Sequence, residues 1–225
     1  MTAPMPSAPK LRTTVVMDYQ NVHLTAAKLF SRHLPLHESL ICPERFARTL
    51  IAERNARQKP GMQHARLSNV IVFRGLPSAD DDAKPYAYNL AQKSQWEKSS
   101  VVQVVHRPLR YEYERDGVNR FVRDVHNRKI VVSKREKGID VLCALAVLSS
   151  ARKPDIDLVI LASQDTDLEP AVEEATVTGE AKIETASWFD PTDGRSSREI
   201  RPNPRVWNTR LSKTNFDKCV DPFQY

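Results

Sequence analysis

Short apolar runs bounded by polar turns alternate along this chain with stretches whose apolar positions recur every three to four residues. That alternation predicts strands and helices in turn, and so a largely parallel sheet joined by right-handed crossovers. Residues 13–17 read as a first strand and 22–30 as a helix. A better-marked helix spans 43–57, with proline near its start and Phe46, Ala47, Leu50 and Ile51 on one side. A strand at 69–73 precedes a turn at Gly75 and Pro77, and a helix follows from Pro85 to residue 98. Residues 101–105 are strand-like, 139–151 a buried helix, 158–162 a core strand, 168–178 a helix, and 182–189 the strand that closes the sheet. No internal repeat is expected. This layout gives a flexible N-terminal tail (1–12), one domain (13–190) and a C-terminal extension (191–225). Pro191, Asp193, Gly194, Pro202 and Pro204 make the extension loop-rich, with Arg195, Arg198, Arg201, Arg205 and Arg210 along it. Residues 206–211 are expected to form a short helix anchored by Trp207.

The polar positions where these runs stop carry the candidate chemistry. The first strand ends at Asp18, the run 157–162 leads to Asp165 and Asp167, and Asp140 opens the helix at 139–151. Ligand sites in open α/β sheets lie at the carboxyl ends of the strands. Carboxylates gathered there repel one another and resist ionisation unless a hard cation such as Mg2+ or Mn2+ shares their charge. Each acid alone also has a structural account. Asp140 suits the first turn of its helix, Thr166 with Glu169 fits a capping box, Asp167 could itself be the cap, and Asp18 could make an Asx turn. The triplet Asp80-Asp81-Asp82 reads as a solvated helix start in preference to a second metal site.

Taken together, these segments resemble a known family. Asp18-Tyr19-Gln20-Asn21 resembles the D-x-x-N opening of NYN domains, a branch of the PIN-like metal-dependent ribonucleases. Lys137-Gly138-Ile139-Asp140 resembles their K-G-[VI]-D helix start, and Ser163-Gln164-Asp165-Thr166-Asp167-Leu168 their S-G-D-x-D-[FL] strand end. The three stand in the family's order over residues 13–190, with Gln164 where the family has glycine. The resemblance implies a three-layer α/β/α PIN-like fold with a mainly parallel central sheet, and hydrolysis of RNA phosphodiesters by water activated on Mg2+ or Mn2+. It also implies that Asp18, Asp140 and Asp165 are metal ligands, direct or through water, with Asp167 completing the acidic group. Asn21 would orient a ligand or substrate phosphate, Ser163 would support the metal's waters, and Lys137 would meet the phosphate. The alternative is a non-catalytic RNA-binding or regulatory adaptor on the same fold. A small-molecule phosphatase is a weaker third reading, because Tyr19 and Gln20 follow Asp18 where a D-x-D nucleophile motif would need a second acid.

Composition adds limits. A chain of 225 residues, 40% hydrophobic and 28% charged, is ordinary for a domain with a real core. The best apolar stretch, residues 141–148, is far too short to span a membrane, and residues 1–12 lack a signal-peptide core. Cys42, Cys143 and Cys219 are odd in number and form no C-x-x-C pair, so a cytoplasmic location is expected. Cys143 reads as a core residue. Pro35 between His33 and His37 argues against zinc, and the six glycines form no dinucleotide or P-loop pattern.

Charge brings in the second candidate feature. Residues 107–137 hold ten basic side chains against five acidic ones, a local excess of +5 in a chain of net charge +6. They are expected to form a basic hairpin-like insertion, with strands at 118–125 and 128–133 joined at His126-Asn127. Arg107, Arg110, Arg120, Arg123, Arg128, Lys129, Lys134 and Arg135 are the candidate contacts to RNA, single-stranded or structured. Tyr111, Tyr113 and Phe121 are read either as base-stacking residues or as packing at the arm's base.

Overall fold

From Thr13 onward every residue of the first strand, β1 (Leu11–Asp18), is buried, as only a central strand covered on both faces can be. In the computed structural model, which describes residues 9–192 and 198–225, β1 lies between β2 (Ala65–Leu76) and β6 (Leu158–Ala162). The full sheet has the order β3-β2-β1-β6-β7-β8 and every pairing in it is parallel. Its other members are β3 (Val102–Pro108), β7 (Lys182–Trp188) and β8 (Trp207–Leu211).

Side-chain alternation divides the core into two layers of contact. Val15, Met17, Leu158, Ile160 and Ala162 face α1 (Tyr19–Phe30), α2 (Pro43–Ala56), α6 (Lys213–Cys219) and Trp96 at the end of α3 (Ala83–Trp96). Val16, Val159 and Leu161 face α4 (Ile139–Ala151) and α5 (Glu169–Thr178). The fold is therefore a three-layer α/β/α arrangement around a parallel sheet. A fully buried ion pair locks α2 to β7, with Arg54 Nη2 2.9 Å from Glu184 Oε1 and the side chains 1% and 0% exposed. From β1 the chain builds outward first through β2 and β3, then on the other side through β6, β7 and β8. The order reverses at β1 and β6, and a crevice opens at the carboxyl ends of the strands at such a reversal.

Several expected elements are placed differently. Residues 206–211 are not a helix: β8 extends the sheet beyond β7, with Thr209 and Leu211 buried in alternation, and α6 adds Phe216 and Cys219 to the core. Residues 207–219 thus share the sheet and core of the main domain, and Trp207 is 41% exposed instead of anchored. The tail is shorter than expected, because Leu11 and Arg12 already belong to β1 and Arg12 pairs with Asp157 at 2.8 Å. Residues 1–8 of that tail, and residues 193–197 with Arg195, lie outside the described residues. The helix at 139–151 is buried on one side only, since Val141 and Leu145 are more than half exposed. Cys143 is buried as expected, and no helix among the described residues is long and apolar enough to cross a membrane.

Candidate active site

Strand register brings the first two motifs together. Met17 pairs with Ala162, so the next residues, Asp18 and Ser163, lie side by side where both strands end. Asp18 is buried and caps α1, its Oδ1 accepting from the Asn21 amide (3.1 Å). Its Oδ2 accepts from Ser163 Oγ at 3.1 Å. Asn21 Oδ1 in turn accepts from the Gln164 amide (2.8 Å), Ser163 Oγ from the Asp165 amide (3.2 Å), and Asp165 Oδ1 from the Asp167 amide (3.1 Å). The cap of this turn is therefore Asp165, not Thr166 or Asp167. Gln164 ties the loop to two further segments, its Nε2 donating to Arg198 O (2.6 Å) and its Oε1 accepting from the Trp188 amide (3.0 Å). No left-handed backbone is needed here, and the Gln164 side chain acts as a fastener.

The third motif enters from the sheet's other side. Gly138 stands before α4 with φ of 78°, a conformation that favours glycine, and an added Cβ would come 3.1 Å from Arg107 Nε. Arg107 Nε donates to Lys137 O at 2.6 Å, leaving the Lys137 side chain exposed. Asp140 sits in the first turn of α4 and is exposed. Its pKa is raised by partial burial and then by the charges of Asp165 and Asp167.

A fifth acid, Glu136, belongs to the cluster and was not singled out from the sequence, where it counted only as one acid within the basic stretch. Its carboxylate accepts from the Gly75 amide, and the Gln20 amide, turned with its nitrogen inward, donates to both its oxygens (3.1 and 2.6 Å). Gly75 is required by this close approach, since a Cβ there would meet Glu136 Cγ at 2.7 Å. Burial raises the Glu136 pKa, with Asp140 adding to the effect. Asp18 is pushed up to about 7, chiefly by burial, with the Glu136 and Asp140 charges adding and the Asn21 and Ser163 hydrogen bonds opposing.

The structure thus gathers Asp18, Asp140, Asp165 and Asp167 at one end of the sheet with Asn21, Ser163 and Glu136. Among the described residues no lysine or arginine forms an ion pair with any of the four aspartates. Nor does any group of three or more His, Cys, Asp or Glu side chains among them stand as a ready-made metal cage. No protein-family model matches the chain, and no curated protein matches it. Among solved structures, the chain is similar to a protein of unknown function from Vibrio parahaemolyticus, with a TM-score of 0.47 and 19% identity over 92% of this chain and 96% of that one.

The basic insertion leaves the carboxyl end of β3 and returns at Glu136, beside the cluster, but it is not the simple hairpin expected. Its base is an antiparallel ladder of β4 (Arg110–Tyr113) and β5 (Val131–Arg135). Beyond it the sequence repeats, Arg115-Asp116-Gly117-Val118-Asn119-Arg120-Phe121-Val122 and then Arg123-Asp124-Val125-His126-Asn127-Arg128-Lys129-Ile130. In each copy the aspartate Oδ1 accepts two backbone amides, those of Val118 and Arg120 (3.0 and 2.8 Å) or His126 and Arg128 (2.8 and 2.9 Å). The asparagines take φ of 65° and 62°, and the leading arginine donates to the asparagine carbonyl at 2.9 or 2.7 Å. Three backbone bonds among Glu114, Val122 and Ile130 close the two turns at their base.

The acidic triplet holds this arm down. Asp82 accepts from Tyr111 Oη (2.6 Å) and Lys134 Nζ (2.8 Å), and Asp81 from Tyr113 Oη (2.9 Å), so two of its three acids are committed to the arm instead of to solvent or a metal. Phe121 lies under Arg115 and Lys129, 4.2 and 4.5 Å from its ring centroid, and edge-on to Tyr113. Of the two readings of these aromatics, packing is the one the geometry supports. Lys134, Arg135 and Arg128 are engaged with Asp82, Glu112 and Asp124, and Arg123 with Asn127 O. Among the described residues Arg110 and Arg120 have no side-chain partner.

Proposed function

We propose that this chain is a metal-dependent ribonuclease that hydrolyses RNA phosphodiester bonds, of the NYN and PIN-like kind its motifs resemble. The observation that carries this reading is a charge-coupled carboxylate cluster at the switch point of a parallel sheet, built on the buried Asp18, with no cation among the described residues paired to its aspartates. A small hard cation fits it. Every candidate donor is a carboxylate oxygen, and Mg2+ keeps several waters while taking only one or two carboxylates from a protein, so a closed cage is not required. Asp18, Asp140, Asp165 and Asp167 would hold Mg2+ or Mn2+, which supplies charge neutralisation on the phosphate and a water acidic enough to attack near neutral pH.

The chain's own residues divide the remaining work. Ser163 and the Asn21 amide hold the Asp18 carboxylate in one orientation. Asn21 Oδ1 accepts from the Gln164 amide and so positions the β6 loop, while its Nδ2, with no bond among the described residues, is the donor that would orient a substrate phosphate. Asp140 is open to an arriving substrate, and Lys137, exposed beside it, meets the phosphate. Arg110, Arg120 and Arg123 offer the arm's side chains to an RNA backbone. The three unpaired cysteines suit a cytoplasmic protein.

The test is cleavage of labelled single-stranded RNA, with DNA in parallel, in Mg2+ or Mn2+. Cleavage is expected to disappear in EDTA and in Asp18→Asn and Asp140→Asn while both variants stay folded. Salt-sensitive RNA binding with no cleavage in any metal would replace the enzyme by a non-catalytic RNA-binding adaptor.

A further inference from the structure

A cleft of about 1010 Å3 opens beside the carboxylate cluster, between α1, α3 and the chain's last residues, and shares Gln20 and Glu136 with it. Its floor carries a cation. Asp18 pairs with Phe73 across β1 and β2, so the next residue, Arg74, falls beside Tyr19. The Arg74 guanidinium lies 4.6 Å from the Tyr19 ring centroid and 5.6 Å from that of Trp96. Its one hydrogen bond among the described residues runs from Nη1 to Gln92 Oε1. Glu136 acts on it only from beyond ion-pair distance, and burial pulls its pKa down. A guanidinium has five N–H donors and stays charged in proteins, so most of this cation's bonding capacity is free and poorly hydrated.

Asn89 lines the same cleft, with its unpaired oxygen closed to solvent. Asn89 is buried, and its Nδ2 donates to Pro85 O at 2.8 Å, which fixes the orientation of the amide. Its Oδ1 then has no partner. Lys84 stands exposed at the rim, over the half-open ring of Tyr88. The volume is at the upper end of what small-molecule pockets enclose and far more than a lone phosphate needs.

We propose that this cleft binds a nucleotide through its phosphate, with Arg74 and Lys84 on the phosphate oxygens. The anion site stands on Arg74 and Lys84 alone, whereas its assignment to a nucleotide rests on the phosphodiesterase reading above. The phosphate can come from a free 5′-mononucleotide or from a nucleotide of an RNA strand that runs on to Asp18.

Equilibrium binding to the full chain in EDTA tests this apart from cleavage. 5′-AMP and 5′-CMP are expected to bind at least tenfold more tightly than adenosine and cytidine. Arg74→Gln should remove most of that preference, and Lys84→Glu, an exposed change, should weaken the monophosphates at least threefold without altering nucleoside binding. Should Arg74→Gln fail to fold, Lys84→Glu decides. Nucleosides binding as well as their monophosphates, or Lys84→Glu leaving the monophosphates unaffected, would overturn the proposal, even in a protein that cuts RNA through Asp18. A 5′-phosphorylated RNA tetramer binding tenfold tighter than 5′-AMP would identify the strand as the ligand, and equal affinity the free mononucleotide.

Discussion

Asp18 is where the chemistry of single residues is most exposed to test. Its folded pKa of about 7 stands above the ordinary aspartate value, so the folded protein holds this proton more tightly than the unfolded chain. The stability linked to it is complete below the unfolded pKa near 4 and is lost as pH rises through about 7, with a ceiling of about 4 kcal/mol. Metal-free wild type should therefore lose more thermal stability between pH 5.5 and 8 than Asp18→Asn does, and at pH 8 the variant should melt higher. Mn2+ should raise the wild-type Tm at pH 8 and, near pH 6 where Asp18 still holds its proton, should release it, and do neither in Asp18→Asn. Parallel pH profiles for the two proteins would refute this assignment of the charge strain. At this scale the positions of Asp18, Asp140, Asp165 and Asp167 at strand and helix ends are legible in the sequence, because each stands where an apolar run stops or a helix starts. The sequence concealed Glu136, whose membership depends on Gly75 and Gln20, residues distant in the chain that converge only through the register of β1 and β2.

Among elements, apolar periodicity located strands and helices wherever a face was buried, and failed where something else set the structure. β8 is a strand where a helix is expected, because Trp207-Asn208-Thr209-Arg210-Leu211 hides its two-residue alternation behind a buried threonine. The arm departs from a simple hairpin because its period comes from Asp-capped turns with left-handed asparagines, not from apolar alternation. Its attachment is polar as well. Tyr111, Tyr113 and Lys134 all reach the Asp81-Asp82 pair, so the arm is held by hydrogen bonds at a partly exposed seam and should be separable from the core. The double variant Tyr111→Phe with Lys134→Ala should leave the global melting temperature within a few degrees of wild type. Amide exchange across residues 110–135 should meanwhile rise severalfold. Unchanged exchange there would mean that the ladder of β4 and β5 suffices to fix the arm.

For the whole molecule, what matters is that three features share one end of the sheet. The β1 and β6 termini place the carboxylates, the β3 terminus launches the arm, and the β2 terminus floors the cleft with Arg74. Parallel strands make this unavoidable, since all their carboxyl ends point the same way, and a polyanion reaching one feature passes near the others. Acids alone would repel a phosphate backbone, so approach depends on cations not already neutralised within the chain. Among the described residues the Arg120 side chain has no partner and that of Arg123 bonds only a carbonyl, whereas Arg135 is paired with Glu112 at 3.0 Å. Each phosphate contact on a single strand contributes about 0.7 to the slope of log affinity against log salt. Arg120→Ala with Arg123→Ala, measured on single-stranded RNA in EDTA between low and physiological salt, should therefore flatten that slope by about 1.4 and weaken binding most at low salt. Arg135→Ala should flatten it by less, because removing that side chain also frees the negative charge of Glu112. A slope unmoved by the double variant would show that RNA does not cross the repeated turns, and would leave the arm as a structural brace over the Asp81-Asp82 seam.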